Sequence, residues 1–230
     1  MPSRIAFIAD VHGNLEALQA VVPFISGLPT YCCGDLVGYG ANPNEVVQWA
    51  RDNCAGCVMG NHDEAVVSGE TGWFNEVAAK AITWTRDRIS TDNLEYLSSL
   101  PTFLRFEVEG RRLFVVHGSP DDPLNEYVHL VTHRDLFERY LEDQCADIIA
   151  LGHTHHPFSE RTARGTVFNP GSVGQPRHGS SGAFYAIVAI EGDGVEVELH
   201  RAGYDIGSAA SKIYEAGLPK VLGERLFEGY

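Results

Sequence analysis

The stretch RIAFIADVHGNLEALQAVVPFI, residues 4–25, decides the fold. Arg4 to Ala9 is a short apolar, β-leaning run closed by Asp10-Val-His-Gly-Asn14, and Leu15, Leu18, Val21, Val22 and Ile25 then recur at helical spacing. That is strand, turn, helix. The sense repeats downstream: Thr30 to Cys33 predicts a second strand ending at Gly34-Asp35, and Asn42 to Asp52 a helix entered through Asn42-Pro43. Cys57 to Met59 predicts a third strand ending at Gly60-Asn61. The order βαβαβ demands a largely parallel sheet.

Asn75 to Arg88 and Thr91 to Leu100 predict two inserted helices, the second capped by Thr91 and stopped by Pro101. Trp73, Phe74, Trp84 and Tyr96 are expected to pack this insert, the alternative being one ring that covers a nucleobase or aryl leaving group. Phe103 to Val108 and Arg111 to Val116 flank a hairpin turn at Glu109-Gly110, Arg134 to Glu142 reads as helix and Asp147 to Leu151 as strand. Val167-Phe168, Phe184 to Ile190 and Val195 to His200 add strands with little helix between them. The last 25 residues are expected to dock one helix and leave a looser tail. No linker, repeat or low-complexity tract divides the chain. The expectation is one α/β domain over residues 1–230, a four-layer αββα sandwich of two packed mixed β-sheets flanked by helices, with a helical insert around 64–100.

The chain has 31 acidic against 17 basic residues, a formal charge of −14, and such a field repels a nucleic-acid backbone. A general duplex binder is excluded on that ground. The longest apolar run, Ala183 to Ile190, falls far short of the roughly 20 residues that cross a bilayer, so the expectation is a cytoplasmic protein with no membrane partner. Five cysteines, an odd number, in a chain large enough to build its own core read as reduced thiols. Cys54-Ala-Gly-Cys57 has redox or zinc spacing but no second pair to complete a site, so buried small side chains are the expected reading.

Chemistry concentrates at the predicted strand ends: Asp10-x-His12, Gly34-Asp35, Gly60-Asn61-His62-Asp63, His117-Gly118 and Gly152-His153-Thr154-His155. In open α/β sheets the carboxyl ends of strands are where ligands bind. Residues i and i+2 of an extended segment share a side, so Asp10 and His12 can grip together, as can His153 and His155. Carboxylate, imidazole and amide ligands together suit borderline divalent metals such as Mn, Fe, Co, Ni or Zn, and are too nitrogen-rich for a calcium cage. A bridging carboxylate between two such sets would hold a metal pair suited to phosphoryl transfer. His129-Leu-Val-Thr-His133 has metal spacing without a third ligand and reads as surface, while His156 and His178 stand beside the proposed site. The chain lacks a P-loop Gly-Lys, a Gly-x-Ser-x-Gly elbow and a Gly-x-Gly-x-x-Gly after its first strand.

These five ordered blocks, with Gly38 completing Gly34-Asp35-x-x-Gly38, resemble the calcineurin-like metallophosphoesterase family over roughly residues 4–200. The resemblance implies that Asp10, His12 and His155 bind one ion, Asn61, His117 and His153 the other, and that Asp35 bridges them. It implies two divalent transition-metal ions, Mn favoured for activity. It also implies in-line attack by a metal-bridging hydroxide, with His62 protonating the leaving oxygen and not ligating. The second block differs from the Gly-Asp-x-Val-Asp-Arg-Gly of the phosphoprotein phosphatases and symmetrical diadenosine tetraphosphate hydrolases, reading Gly34-Asp35-Leu36-Val37-Gly38-Tyr39-Gly40. The Asn169-Pro-Gly-Ser-Val-Gly-Gln-Pro-Arg177 stretch looks instead like the small prokaryotic phosphodiesterase branch, which shares it with a retromer subunit that keeps the fold as a scaffold. Asp63 either orients His62 or caps the following helix, and Arg177 is either a phosphate contact or a solvated loop charge. The expected function is a phosphodiesterase for small or nucleotide-like phosphoesters. The alternatives are a catalytically silent scaffold and a phosphomonoesterase or dinucleoside polyphosphate hydrolase.

Overall fold

The computed structural model describes residues 2–230 and holds two five-stranded sheets stacked face to face. The first contains β1 (Ser3–Ile8), β2 (Thr30–Cys32), β3 (Gly56–Cys57), β9 (Ala183–Glu191) and β10 (Gly194–Ala202), in the order β10-β9-β1-β2-β3. The second contains β4 (Phe103–Val108), β5 (Arg111–Val116), β6 (Ile148–Ala150), β7 (Phe158–Arg161) and β8 (Thr166–Asn169), in the order β4-β5-β6-β8-β7. In each sheet three adjacent strands are parallel, β1-β2-β3 and β5-β6-β8, and the other pairings are antiparallel. The parallel strands all deliver their carboxyl ends to one edge of the sandwich.

The unbroken apolar run of β1 has a physical reason: both its faces are covered. Ile5 and Phe7, with Ala9 beyond them, point into the space between the sheets and meet Leu113, Val115, Ile148 and Phe168. Ala6 and Ile8 point outward to α1 (Leu15–Ile25) and α2 (Pro43–Asn53), where Leu18, Val21, Val46 and Ala50 pack on them. Each fully buried Phe or Ile here contributes about 1.5–3 kcal/mol. On the other side α7 (Phe137–Asp143), which follows the single turn α6 (Leu130–His133), lays Phe137, Tyr140 and Leu141 on Phe114, Val116 and Ile149 of the second sheet. The four layers are therefore helix, sheet, sheet, helix.

The insert consists of α3 (Asn61–Ser68), α4 (Glu76–Arg86) and α5 (Thr91–Ser99). Asn75 caps α4 by accepting from the N–H groups of Val77 and Ala78. The cap of α5 is Ser90, whose hydroxyl accepts from Asn93, and not Thr91 as the sequence suggested. The third strand is shorter than expected because α3 begins at once: Gly60 is its N-cap, and the side chain of Asp63 reaches back to the Gly60 N–H.

The chain end also differs. Where one helix and a looser tail were expected, α8 (Ile206–Glu215) and α9 (Lys220–Glu228) form a pair, and Leu222 and Leu226 of α9 pack with Ala78 and Ala81 of α4. The apolar spacing of α9 is too short to declare itself without that partner. Strand β7 was likewise not foreseen. Among the described residues no helix is long and apolar enough to cross a membrane.

Candidate metal centre

The ligand-bearing turns are hydrogen-bonded to one another, which places side chains distant in sequence on one floor. The Asp10 N–H donates to the Gly34 carbonyl at 3.0 Å, the His12 N–H to the Asp35 carbonyl at 3.0 Å and the Gly152 N–H to the His117 carbonyl at 2.9 Å. Asp10, His12, Asp35, His153 and His155 all have positive φ, between 50° and 67°. Such backbone is uncommon for non-glycine residues and concentrates at functional sites. Close approach requires glycine at position 60, where an added Cβ would lie 2.1 Å from Asp35 Oδ1.

Four imidazoles are fixed by backbone carbonyls, which can only accept, so the ring nitrogen facing each must carry the proton. His12 Nδ1 donates to the Val37 carbonyl at 3.0 Å and His117 Nδ1 to the Cys33 carbonyl at 2.8 Å. His155 Nδ1 donates to the Gln175 carbonyl and His153 Nε2 to the Asn125 carbonyl. The remaining nitrogens of the neutral rings are lone pairs, and they face each other: His12 Nε2 and His155 Nε2 are 3.1 Å apart, as are His117 Nε2 and His153 Nδ1. Two acceptors at that distance need a proton or a metal ion between them. Asp10 Oδ1 lies 3.3 Å from His155 Nε2, and Asp10 Oδ2 is buried without a partner. Asn61 Oδ1 lies 3.2 Å from His117 Nε2. Between the two clusters, Asp35 Oδ2 is 3.6 Å from His12 Nε2 and 3.4 Å from His117 Nε2.

All seven residues proposed as ligands are thus brought together, in the two sets the resemblance implied and with Asp35 shared. The donor set and the orphaned oxygen fit a pair of divalent ions. His62 is also drawn in, within ligand distance of His12 and Asp35. Its ring meets His12, Tyr39 and Phe74 edge-on at 4.5 to 5.0 Å between ring centres, and its buried Nδ1 has no partner.

Asp63 does not orient that ring. Its Oδ2 accepts from the N–H groups of Asp35 at 2.9 Å and Gly60 at 3.0 Å, and its Oδ1 from Val37 at 3.1 Å. The capping reading is therefore the one the geometry supports, and Asp63 acts on the centre through the backbone of Asp35. Burial and the neighbouring Asp35 charge push its carboxyl upward, while the N–H groups of Gly60 and Val37 favour the ionised form, and three N–H donors on its two oxygens leave neither free to carry a proton.

Burial pulls His12 down, His62 to about 4 and His153 to about 2. His117 goes the other way: burial opposes its charge, but Asp35 beside it raises it to about 9. Asp35 is held well below the usual carboxylate range despite its burial, chiefly by His117 and His62. One proton on His117 thus supplies in the metal-free protein part of the positive charge the cluster requires.

Above this floor lies a cleft of about 1170 Å³, bounded by the insert, the loop after His117 and α9. Arg177 lines it, half-buried, and donates to the Tyr39 hydroxyl at 2.9 Å. That removes the solvated-charge reading. Tyr39 itself was not singled out from the sequence, although it occupies the block position where the related pattern has arginine. Tyr127, also unforeseen, stacks on His153 at 3.9 Å. The insert aromatics divide: Trp84 is half-buried with its indole N–H on the Ala216 carbonyl at 2.9 Å, whereas Trp73 is 98% exposed and packs nothing. His129 and His133 hold each other through the chain, the His129 N–H donating to His133 Nδ1. The five cysteines are all free thiols.

A sandwich whose parallel strand ends carry two carboxylate-imidazole clusters sharing one aspartate defines a metallophosphoesterase. The chain belongs to the calcineurin-like phosphoesterase superfamily, whose domain model matches residues 4–193. It is 40% identical to an uncharacterised protein of Methanocaldococcus jannaschii, over 99% of this chain and 98% of that one. It is 25% identical to the phosphodiesterase YfcE of Escherichia coli, over 79% of this chain and 85% of that protein. Among solved structures, a metallophosphoesterase from Sphaerobacter thermophilus superposes with a TM-score of 0.86 at 33% identity, covering 100% of both chains.

Proposed function

We propose that the protein is a phosphodiesterase that works with two divalent transition-metal ions, manganese foremost, on a small phosphoester. The observation that carries this reading is the convergence of four imidazole lone pairs and two aspartates, with Asp35 Oδ2 3.4 to 3.6 Å from a histidine of each cluster, beneath one open cleft. Asp10, His12 and His155 would hold one ion, Asn61, His117 and His153 the other, and Asp35 both. When bound, the ions supply the Lewis acidity that the phosphoryl group and the attacking water need.

The chain's own groups do the rest. Arg177, held by Tyr39, reaches over the centre and binds a phosphate oxygen. His62, boxed in by His12, Tyr39 and Phe74, is positioned to hand a proton to the leaving oxygen. Since burial holds His62 near 4, it is neutral in the free protein at pH 7, and the substrate's negative charge is what draws a proton onto it.

A diester is favoured over a polyphosphate because the cleft wall formed by the insert carries Glu64 and Glu70, which repel additional phosphates, against Arg225 on the α9 side as the one lining cation besides Arg177. The relation to YfcE, named as a phosphodiesterase, agrees with this choice. Five free thiols suit a reducing compartment, and the cytoplasm is the proposed site of action. The test is to strip the protein with chelator, reload it across a metal panel and assay bis-p-nitrophenyl phosphate. Mn²⁺ should restore cleavage, and Asp35→Asn should abolish it with the circular-dichroism spectrum unchanged. A metal-loaded protein inert towards every phosphoester would overturn the reading.

A further inference from the structure

Resting on the phosphodiesterase reading, we infer that Trp73 is a stacking platform for a nucleobase, so that the diester taken is a nucleoside phosphodiester. The cleft of about 1170 Å³ is far larger than a phosphate requires and exceeds the range of roughly 300–1,000 Å³ that encloses drug-sized ligands. Most of it must receive the organic arms of the substrate. Its walls are aromatic at successive heights: Tyr39 and Phe74 lie against His62 at the floor, Tyr127 stacks on His153, and Trp73 and Tyr230 line the cleft further out.

Trp73 is singular among them. It is 98% exposed, whereas Trp49 and Trp84 are half-buried. It sits between α3 and α4, next to Gly72, where an added Cβ would meet nothing within 4 Å. No fold requirement accounts for an indole held there. Its neighbour Phe74 turns inward and touches His62, with ring centres 5.0 Å apart, so the two rings join the rim of the cleft to the reacting centre by one step of chain. A planar base extending from a phosphoryl group at the floor meets the indole, and every base has a π-face to offer it. Glu64 and Glu70 on the same wall can accept hydrogen bonds from exocyclic amino groups, which favours adenine, cytosine and guanine over uracil.

The test compares the manganese-loaded wild type with Trp73→Ala and Trp73→Phe on two diesters, a dinucleoside monophosphate of adenine and the ring-free glycerophosphoglycerol, whose arms carry neither a ring nor a charge. The expected result is that the ratio of kcat/KM for the nucleoside substrate over the ring-free one falls about tenfold or more in Trp73→Ala, through KM, and recovers largely in Trp73→Phe. A second readout needs no turnover: AMP should quench the indole emission of the wild type, and the quenching should be lost in Trp73→Ala. A ratio unchanged by Trp73→Ala, or AMP that leaves the emission of the wild type unaltered, overturns the stacking role. If bis-p-nitrophenyl phosphate is still cleaved in that case, the phosphodiesterase reading survives. If no diester is cleaved with any metal, that reading fails, and the AMP titration decides the role of Trp73 by itself.

Discussion

The carboxylate of Asp63 holds the backbone N–H of Asp35 at 2.9 Å, while the backbone N–H of His62 holds Asp35 Oδ1 at the same distance. Two consecutive residues at the start of α3 thus clamp the bridging aspartate from both sides, leaving Oδ2 to face the two imidazole clusters. Asp63 touches no candidate ion position itself, and its influence runs through one peptide N–H.

Replacing Asp63 with Asn turns an acceptor into a donor facing at least one backbone N–H. We expect a loss of about 1–3 kcal/mol in stability, together with weaker metal retention. Urea unfolding of the metal-free protein and elemental analysis after dialysis measure the two effects separately. Retention equal to wild type would show that Asp35 needs no support from α3.

If His62 delivers the proton, His62→Ala lowers kcat by about 10² to 10⁴ on an alkyl diester and by much less on an aryl one, whose leaving group hardly needs it. The sign with pH follows from the free ring lying near 4: the protonated fraction shrinks as pH rises above that value. In the wild type kcat/KM for the alkyl diester should therefore fall relative to the aryl diester with increasing pH. Parallel profiles for the two substrates would rule the role out.

Metal uptake and the proton on His117 compete. The ring must be neutral to ligate, and Asp35 raises it to about 9, so apparent affinity should climb about tenfold per pH unit between pH 6.5 and 9. For the metal-free protein the sign is opposite. A histidine raised on folding contributes stability that is fully present below its unfolded pKa near 6.5 and is lost as pH rises through about 9. Calorimetric metal titrations in buffers of different ionisation enthalpy should report a released proton near pH 7, and thermal melts of the stripped protein should show Tm decreasing across the same interval.

Gly60→Ala tests the clamp sterically. The backbone there has φ −97°, which alanine adopts freely, so the whole effect comes from a Cβ 2.1 Å from Asp35 Oδ1 and 2.4 Å from its backbone nitrogen. Neither atom can retreat without moving the bridge. A destabilisation of about 1–3 kcal/mol with loss of bound metal is expected, by denaturant titration and elemental analysis. Full metal content in the variant would mean that the turn tolerates repacking.

Much of this was legible in the residues, and the exceptions share a cause. The run from Ile5 to Ala9 announced a strand, and glycines beside Asp35, Asn61, His117 and His153 announced the turns. Periodicity and spacing are local, so they carried that far. Tyr39 could not be read as the partner of Arg177, because 138 residues separate them and only the packed loops bring them to 2.9 Å. The stripe of Leu222 and Leu226 is apolar enough to be a helix face only once Ala78 and Ala81 are opposite it. Trp73 was assigned to packing because tryptophan is usually buried, and nothing in its neighbours Gly72 and Phe74 signals that it faces outward.

The left-handed backbone beneath Asp10, His12, Asp35, His153 and His155 sets thermal endurance against catalytic competence. A library screened for heat resistance alone should drift at these five codons toward glycine, discarding the centre before it touches the sandwich beneath.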